Sequence, residues 1–205
     1  MTWRARLFGL FPALWLALLL GCGFWLLRTA STAAALALLF VAYLLPVLCF
    51  RLHEAVWPLR EGRSRIDAPG YSPWWGGHQF QLMYNAFPAL EAALRLLPGA
   101  YSAWLRLWGS RIGRRVYWTP RVEIADRSLL DVGDGAVFGH LTACYAHLIK
   151  PHRGGLVLYV RRIHIGHGAF LSAGSRLGPG VRIADGTVLP LLSDVGVGRR
   201  VAGGD

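Results

Sequence analysis

The sequence predicts a mainly β protein, a coil of short parallel strands preceded by a hairpin of two membrane-spanning helices. Three observations predict it: two long uncharged apolar runs, a six-residue apolar repeat in the second half of the chain, and a strongly apolar composition. Of the 205 residues, 54% are hydrophobic and 16% are charged, and the mean hydropathy is +0.38. A soluble domain of this size cannot bury that much apolar surface, which predicts that part of the chain lies in lipid. With only 3 cysteines, the composition also excludes a disulfide scaffold, a collagen and a disordered chain.

The first element is a helical hairpin, predicted over residues 1–52. Residues 7–27 and 29–50 carry no charge, and each run meets the roughly 20 residues that a bilayer-spanning helix needs. Pro12 and Pro46 fall inside the runs, where neighbouring packing and local backbone adjustment can accommodate them. We therefore predict a multi-pass membrane protein that contacts lipid.

Arginines set the expected orientation of this hairpin. Basic residues precede the first span and follow the second, whereas the connecting turn has only Arg28; the flanking residues are Arg4, Arg6, Arg51, Arg60, Arg63 and Arg65. The positive-inside rule predicts that both ends lie in the cytoplasm. The alternative is a cleaved secretion signal, because the residues before Cys22 loosely imitate a lipoprotein site. The apolar run continues past Cys22, which favours a span.

Residues 53–110 are predicted to be a linker with amphipathic helices. Apolar residues recur at alternating spacings of three and four between Phe80 and Leu97, the pattern of one helical face, and Pro88 must interrupt it. A further short helix is expected over 101–108. These helices either cap the next domain or lie on the membrane surface and hold it there.

A six-residue repeat dominates the rest of the chain, predicted as a β-helical domain over residues 111–205. Six apolar residues stand six apart, at Ile165, Leu171, Leu177, Ile183, Leu189 and Val195. Glycine follows five of them by three residues, and a small or β-branched residue shares their side of each strand. This pattern is typical of a coil whose interior fills by stacking on the next turn. A weaker copy begins at Ile112, with a two-residue slip before Val132.

The repeat is interrupted by an extended loop, predicted over residues 144–162. This loop contains the run Ala146-His147-Leu148-Ile149-Lys150-Pro151-His152. An excursion from a regular solenoid is a common position for functional residues.

The chain resembles the hexapeptide-repeat acyltransferases, which form a left-handed parallel β-helix and commonly assemble as trimers. The hexads carry the resemblance, together with the runs LPGAYSAWLRLWGSRIGRRVYWTP (97–120), DRSLLDVGD (126–134), AHLIKP (146–151), LYVRRIHIG (158–166) and LGPGVRI (177–183). The longer runs are similar to a membrane-associated bacterial branch and to the C-terminal regions of some non-ribosomal peptide synthetases. The resemblance implies transfer of an acyl group from coenzyme A or a carrier thioester to a hydroxyl or amine, at a site between adjacent prisms.

The resemblance also implies a histidine general base, and His147 matches it by position, with His140 the second candidate. An imidazole can take the proton of the attacking acceptor, so no nucleophilic residue is required. The donor phosphates would be bound by the basic residues around the loop, namely Lys150, Arg153, Arg161 and Arg162. A solvated basic face or contact with anionic lipid explains this cluster equally well. Candidates to orient the base or bind the acceptor are Asp126, Asp131 and Asp134.

Two other functions fit parts of the sequence. One is a catalytically silent membrane scaffold. The other is a zinc carbonic anhydrase, because His147 and His152 are five residues apart; three imidazoles would be required, and no spacing supplies them, so no metal is expected. The charge of +11 does not indicate nucleic-acid binding, since the arginines are dispersed and no recognition motif appears.

Overall fold

The computed structural model describes residues 2–203, in which the chain forms two compact units. One unit extends to Leu59 and includes Pro69–Ala86; the other comprises Arg60–Ala68 and the chain from Phe87 onward. The segment expected as linker and surface helices, residues 53–110, is therefore shared between the units. The predicted domains 1–52 and 111–205 also included Met1, Gly204 and Asp205, which lie outside the described residues.

Four helices and one π-helical segment form the first part of the helical unit: α1 (Trp3–Gly9), α2 (Phe11–Thr29), α3 (Thr32–Leu39), Phe40–Leu44 and α4 (Leu45–Val56). They make two continuous apolar helical stretches, Trp3–Thr29 and Thr32–Val56, with mean hydropathies of 2.1 and 2.5. Both are long and apolar enough to cross a membrane, although a core helix or a signal sequence would meet the same criteria.

The turn between the two stretches is built from small and polar residues. Ala30 adopts a left-handed conformation with φ of 48°, and the Ser31 hydroxyl accepts the Ala34 N–H at 3.2 Å as an N-cap. Deeper in the hairpin, the Trp15 indole donates to the Val41 carbonyl at 2.8 Å. The π-helical segment directly precedes the first turn of α4, which contains Pro46, a residue that has no N–H to continue the ladder.

Two short helices, α5 (Pro73–Gln79) and α6 (Leu82–Ala86), belong to the same unit. The Tyr84 hydroxyl donates to the Ala42 carbonyl at 2.8 Å, and the Phe80 ring packs edge-on against Phe11 at 4.7 Å. Helix α6 ends at Ala86 and the next helix begins at Ala89, so the amphipathic face expected from Phe80 onward is interrupted at Pro88, as the sequence predicted.

The second unit is a coil with three parallel faces. Face 1 contains β2 (Arg111–Ile112), β5 (Leu130–Val132), β10 (Ile163–Ile165), β13 (Arg182–Ile183) and β16 (Arg200–Val201). Face 2 contains β3 (Tyr117–Trp118), β6 (Val137–Phe138), β11 (Phe170–Leu171) and β14 (Val188–Leu189). Face 3 contains β4 (Glu123–Ile124), β7 (Ala143–Cys144), β12 (Arg176–Leu177) and β15 (Asp194–Val195). The predicted parallel β-helix is confirmed.

The apolar residues of the repeat form columns inside the coil. Strand register aligns Trp118, Phe138, Leu171 and Leu189 on face 2, and the rings of Trp118 and Phe138 stack at 4.1 Å. All six residues of the predicted repeat are buried. In most strands the column residue is buried and its neighbour is more exposed, so stacking of the next coil completes the core.

Left-handed backbone at the corners explains the glycines of the repeat. The glycine three residues after each column residue has a positive φ, for example 63° at Gly168 and 75° at Gly180. Leu189 is the repeat residue without such a glycine, and Leu192 takes the corner position with φ of 59°. The corner therefore keeps its left-handed backbone even where the residue is not glycine.

Helices α7 (Ala89–Arg95) and α8 (Ala100–Trp108) precede the first coil. The Arg106 guanidinium donates to the Ile112 and Gly113 carbonyls at 2.9 and 2.8 Å, and the Trp118 indole donates to the Ser102 hydroxyl at 2.9 Å. In the described structure these helices cap the coil, the first of the two roles expected for them.

Candidate functional site

One corner of the coil, between face 3 and face 1, departs from the repeat in two successive turns. Column residues are six apart elsewhere, but Ile124 and Val132 are eight apart, and Cys144 and Ile165 are 21 apart. The first departure is the two-residue slip seen in the sequence. The second is the excursion over 145–162, which emerges from the same corner one coil later, so the two irregular segments are stacked.

An aspartate and a histidine meet where these segments stack. Asp126 lies in the enlarged corner of the first coil, and its carboxylate oxygens are 2.7 and 2.9 Å from His147 Nδ1. The carboxylate also accepts the Ala146 N–H at 2.9 Å. Asp126 is buried, whereas the His147 side chain is 19% exposed. The pair therefore combines a fixed, buried acceptor with an imidazole that solvent or a substrate can reach.

The expected loop is an ordered sheet rather than irregular chain. His147 begins β8 (His147–His152), which forms an antiparallel hairpin with β9 (Gly155–Val160). His147 pairs with Val160 at the base of the hairpin, far from the turn at Arg153 and Gly154. The Arg161 N–H donates to the Ala146 carbonyl at 2.9 Å, which closes the base. The catalytic candidate thus lies at the base of the hairpin, next to the coil.

A third strand, β1 (Gly62–Arg65), comes from the segment expected as linker and pairs antiparallel with β9. The Glu61 carboxylate accepts the Arg162 N–H at 3.0 Å, beside the hairpin base. Near the hairpin turn, the Asp67 carboxylate accepts the Leu156 N–H at 3.0 Å and two bonds from Arg65 at 2.9 Å. Arg65 holds the pKa of Asp67 below its usual range. No periodic pattern in the sequence predicts this strand, because its residues are all exposed.

His140 does not join His147 within one chain. It is exposed and lies in the four-residue corner between faces 2 and 3, at a different edge of the coil from the Asp126–His147 pair. His152 is five residues from His147 on one strand, so the two side chains point to opposite faces of the hairpin.

The four predicted donor-binding residues are distributed along the hairpin. Lys150 is exposed in β8, and Arg153 is exposed at the turn. Arg161 is exposed at the base, and its stem lies over the Gly180 corner. Arg162 is half-buried, and its guanidinium donates to the Leu130 carbonyl at 2.8 Å and lies 3.8 Å from the Glu61 carboxylate.

A second aspartate–histidine pair lies on the outside of face 1. His164 Nδ1 is 3.3 Å from the Asp131 carboxylate, which is also 3.7 Å from Arg111. Burial, and then the neighbouring Arg182, lower the pKa of His164. Asp131 therefore pairs with His164 and not with His147. Asp134, the third candidate, instead accepts the Arg114 N–H at 2.7 Å in a corner.

Cys144 is the nearest thiol in sequence to His147, and it belongs to the core column of face 3. Burial raises the pKa of its thiol to about 12. A protonated, buried thiol is a poor nucleophile. Among residues 2–203, no group of three or more His, Cys, Asp or Glu side chains converges as a metal site requires.

The sequence matches no protein-family model and no curated protein. The solved structures to which the chain is similar include several acetyltransferases. The hexapeptide-repeat acetyltransferase of Vibrio cholerae, solved with acetyl coenzyme A, is 15% identical, with a TM-score of 0.40 over 59% of this chain and 84% of that one. Galactoside acetyltransferase in complex with coenzyme A is 15% identical, with a TM-score of 0.38 over 55% and 74%. Serine acetyltransferase from Brucella abortus is 13% identical, with a TM-score of 0.34 over 93% and 94%.

Proposed function

We propose that this protein is an acyltransferase that moves an acyl group from coenzyme A, or from a carrier thioester, to a hydroxyl or amine. The observation that carries the proposal is the 2.7 Å contact between His147 Nδ1 and the buried Asp126 carboxylate, in a corner where the repeat is broken twice. A partly exposed imidazole that is oriented by a buried carboxylate is the arrangement a general base requires.

The carboxylate determines which imidazole nitrogen acts as the base. An ionised carboxylate only accepts hydrogen bonds, so Nδ1 of His147 donates to Asp126 and carries the ring proton. The lone pair then resides on Nε2. As Nε2 takes a proton, Asp126 stabilises the imidazolium that forms.

The reaction needs one base and no covalent enzyme intermediate. Nε2 of His147 removes the proton from the acceptor O–H or N–H as the acceptor attacks the thioester carbonyl carbon. The new C–O or C–N bond forms, the C–S bond breaks, and the leaving coenzyme A thiolate receives the proton from the imidazolium. The protonated state of Cys144 is consistent with direct transfer.

We propose that the hairpin binds the donor phosphates. Lys150, Arg153 and Arg161 present exposed cationic side chains along the hairpin, and arginine pairs well with phosphate oxygens. Arg162 is the fourth candidate. Since Arg162 already contacts Glu61 and the Leu130 carbonyl, we expect it mainly to hold the base of the β-hairpin in place and to contribute less to donor binding.

Face 2 has exposed apolar side chains that support a contact with other copies of the chain, which we expect to form a homotrimer. Its outward side chains include Tyr117, Phe170 and Val188, which are 60%, 43% and 66% exposed. The adjoining corner adds exposed Leu191 and Leu192. A contiguous apolar surface of this kind commonly marks an interface.

We propose that the stretches Trp3–Thr29 and Thr32–Val56 anchor the enzyme in the bacterial inner membrane. Exposed leucines and aromatics cover the first stretch, as expected for a surface in contact with lipid. The arginine distribution supports a cytoplasmic location for both ends of the helical hairpin and for the β-helix. An enzyme anchored in this way fits an envelope-related or lipid-linked acceptor.

The proposal is tested by a screen of acyl donors and acceptors. Membranes containing the wild-type protein, His147→Ala or the matched hairpin variant His152→Ala are incubated with isotope-labelled acetyl-CoA and longer acyl-CoAs, and products are identified by mass spectrometry. We expect one labelled product with the wild type and with His152→Ala, and none with His147→Ala. Absence of acyl transfer for every chain length would overturn the proposal and favour the scaffold, and equal labelling by His147→Ala would remove this histidine from the mechanism.

A further inference from the structure

A buried cluster of charged groups lies behind the Asp126–His147 pair. The Arg127 guanidinium donates to the Glu91 carboxylate of α7 at 2.8 Å, and the Arg95 guanidinium contacts the same carboxylate at 3.2 Å. The side chains of Arg127 and Glu91 are only 1% and 4% exposed. The Tyr101 hydroxyl of α8 bridges the cluster, donating to Glu91 at 3.2 Å and accepting from Arg95 at 2.7 Å.

Burying these charges is costly, so the arrangement requires a reason beyond stability. A buried ion pair is often no more stable than an apolar replacement of the same volume. Neither the repeat nor the acid–base chemistry of His147 uses Glu91 or Arg127 directly. Arg127 directly follows Asp126, however, and it belongs to the enlarged corner.

The enlarged corner has no repeat geometry to define its shape. Most other corners of the coil stack on a corner of the same length in the neighbouring coil, but this corner has two extra residues and stacks on the base of the hairpin. Side chains from outside the coil also hold it. The Ser110 hydroxyl donates to the Arg127 carbonyl at 2.7 Å and accepts the Leu130 N–H at 2.9 Å, while Glu91 holds the Arg127 guanidinium.

We infer that Glu91 and Arg127 are positioning residues that hold the Asp126 carboxylate against His147 Nδ1. This inference rests on the proposed function, since it concerns the same base. Without Glu91, the buried Arg127 guanidinium loses the carboxylate that it contacts at 2.8 Å. The corner then moves to hydrate that charge, and Asp126 moves with it.

A double-mutant cycle separates positioning from general support of the fold. The rate constant kcat for coenzyme A release from acetyl-CoA, with the acceptor found by the screen, is measured for Glu91→Gln alone and in an Asp126→Asn background. We expect Glu91→Gln to lower kcat about tenfold in the wild type, at nearly constant KM for acetyl-CoA, and less than about twofold in Asp126→Asn. The same loss in both backgrounds would overturn the inference, because Glu91 would then act independently of Asp126.

Arg106→Met is the matched control. It removes another arginine that joins the capping helices to the first coil, through the Ile112 and Gly113 carbonyls, and none of its bonds reaches the enlarged corner. We expect it to lower the thermal midpoint without lowering kcat. Loss of kcat in Arg106→Met similar to that in Glu91→Gln would contradict a specific role for the Glu91–Arg127 pair.

A second readout does not depend on turnover. In the full chain labelled with ¹⁵N-histidine and held in nanodiscs, the Nδ1 proton of His147 is followed by NMR. We expect Glu91→Gln to weaken and shift this resonance, Arg127→Lys to keep it closer to that of the wild type than Arg127→Met does, and the Asp131–His164 pair to be unaffected. If Glu91→Gln fails to fold, the comparison of Arg127→Lys with Arg127→Met serves in its place, because it tests the same ion pair. An unchanged His147 resonance would refute the inference, whereas an inactive wild type with the expected NMR changes would refute only the acyltransferase proposal.

Discussion

Replacing Asp126 with asparagine changes the tautomer of His147 with little change of shape. Asp126 Oδ2 accepts the Ala146 N–H at 2.9 Å, and both carboxylate oxygens lie within 2.9 Å of His147 Nδ1. In Asp126→Asn, the amide oxygen can keep the Ala146 bond at the Oδ2 position, which places the NH₂ group at the Oδ1 position, 2.9 Å from Nδ1. The imidazole then accepts at Nδ1 and carries its proton on Nε2, where the base is needed.

The magnitude follows from what the base contributes. General-base catalysis is worth about 10² to 10⁴ in rate, so we expect Asp126→Asn to lower kcat by about that factor with little change in KM. The variant exchanges one hydrogen bond of a buried group and keeps the other, which costs roughly 1–3 kcal/mol of stability. Folded protein should therefore remain for the measurement.

The assay is release of coenzyme A thiol from acetyl-CoA by the purified full-length protein, with the acceptor found by the screen. Asp131→Asn is the matched control, since it alters the other aspartate–histidine pair, on the outside of face 1. We expect Asp131→Asn to retain nearly full activity. An Asp126→Asn protein that keeps more than about a tenth of wild-type kcat would show that Asp126 does not set the tautomer of a catalytic base, because general-base catalysis is worth at least about 10² in rate.

Three further predictions concern the fold around the site. Leu171→Ala should lower the free energy of unfolding by about 2–5 kcal/mol in denaturant titrations of the isolated full chain, because Leu171 is fully buried in its column; a loss below about 1 kcal/mol would contradict the stacked core. The pKa of His164, followed by NMR, should lie below the usual 6.5, and Arg182→Gln should raise it. Because the pKa of His164 is lowered in the folded state, the neutral imidazole stabilises the fold above pH 6.5, and this stabilisation is lost as the pH falls from there toward the folded-state pKa. Asp67→Asn should raise the hydrogen-exchange rate of the Leu156 amide roughly fivefold, and unchanged exchange would show that Asp67 does not hold the hairpin.

The repeat was predictable because its physical cause is local and periodic. Apolar residues six apart at Ile165, Leu171 and Leu177 imply one inward residue on each of three successive strands, and the structure places them so. The apolar runs of the first 56 residues likewise indicated long helices, as observed. In both cases neighbouring residues alone contain the pattern.

The site was only partly predictable because its contacts join distant parts of the chain. The sequence indicated His147 and the two-residue slip, but it named Asp126 only as one of three aspartates. The contact between Asp126 and His147 spans 21 residues and follows from the stacking of two irregular corners. A regular six-residue register would have placed neither segment at the contact.

Two elements of the site had no sequence signal. Strand β1 has four exposed polar or glycine residues, so alternation did not reveal it; it forms because β9 offers it a strand edge. Glu91 lies on an amphipathic helix where a charge would ordinarily face solvent, and its burial depends on Arg127, 36 residues later. Tertiary pairing therefore determines both.

The most direct test of the account is acyl transfer by the purified chain in lipid vesicles. Radiolabelled acetyl-CoA is supplied with an extract of bacterial envelope lipids and precursors, and label in the acceptor fraction is measured for the wild type, His147→Ala and His152→Ala. We predict label with the wild type and with His152→Ala, and at most about one hundredth of it with His147→Ala. Equal labelling by the wild type and His147→Ala would contradict the central claim that this imidazole is the base.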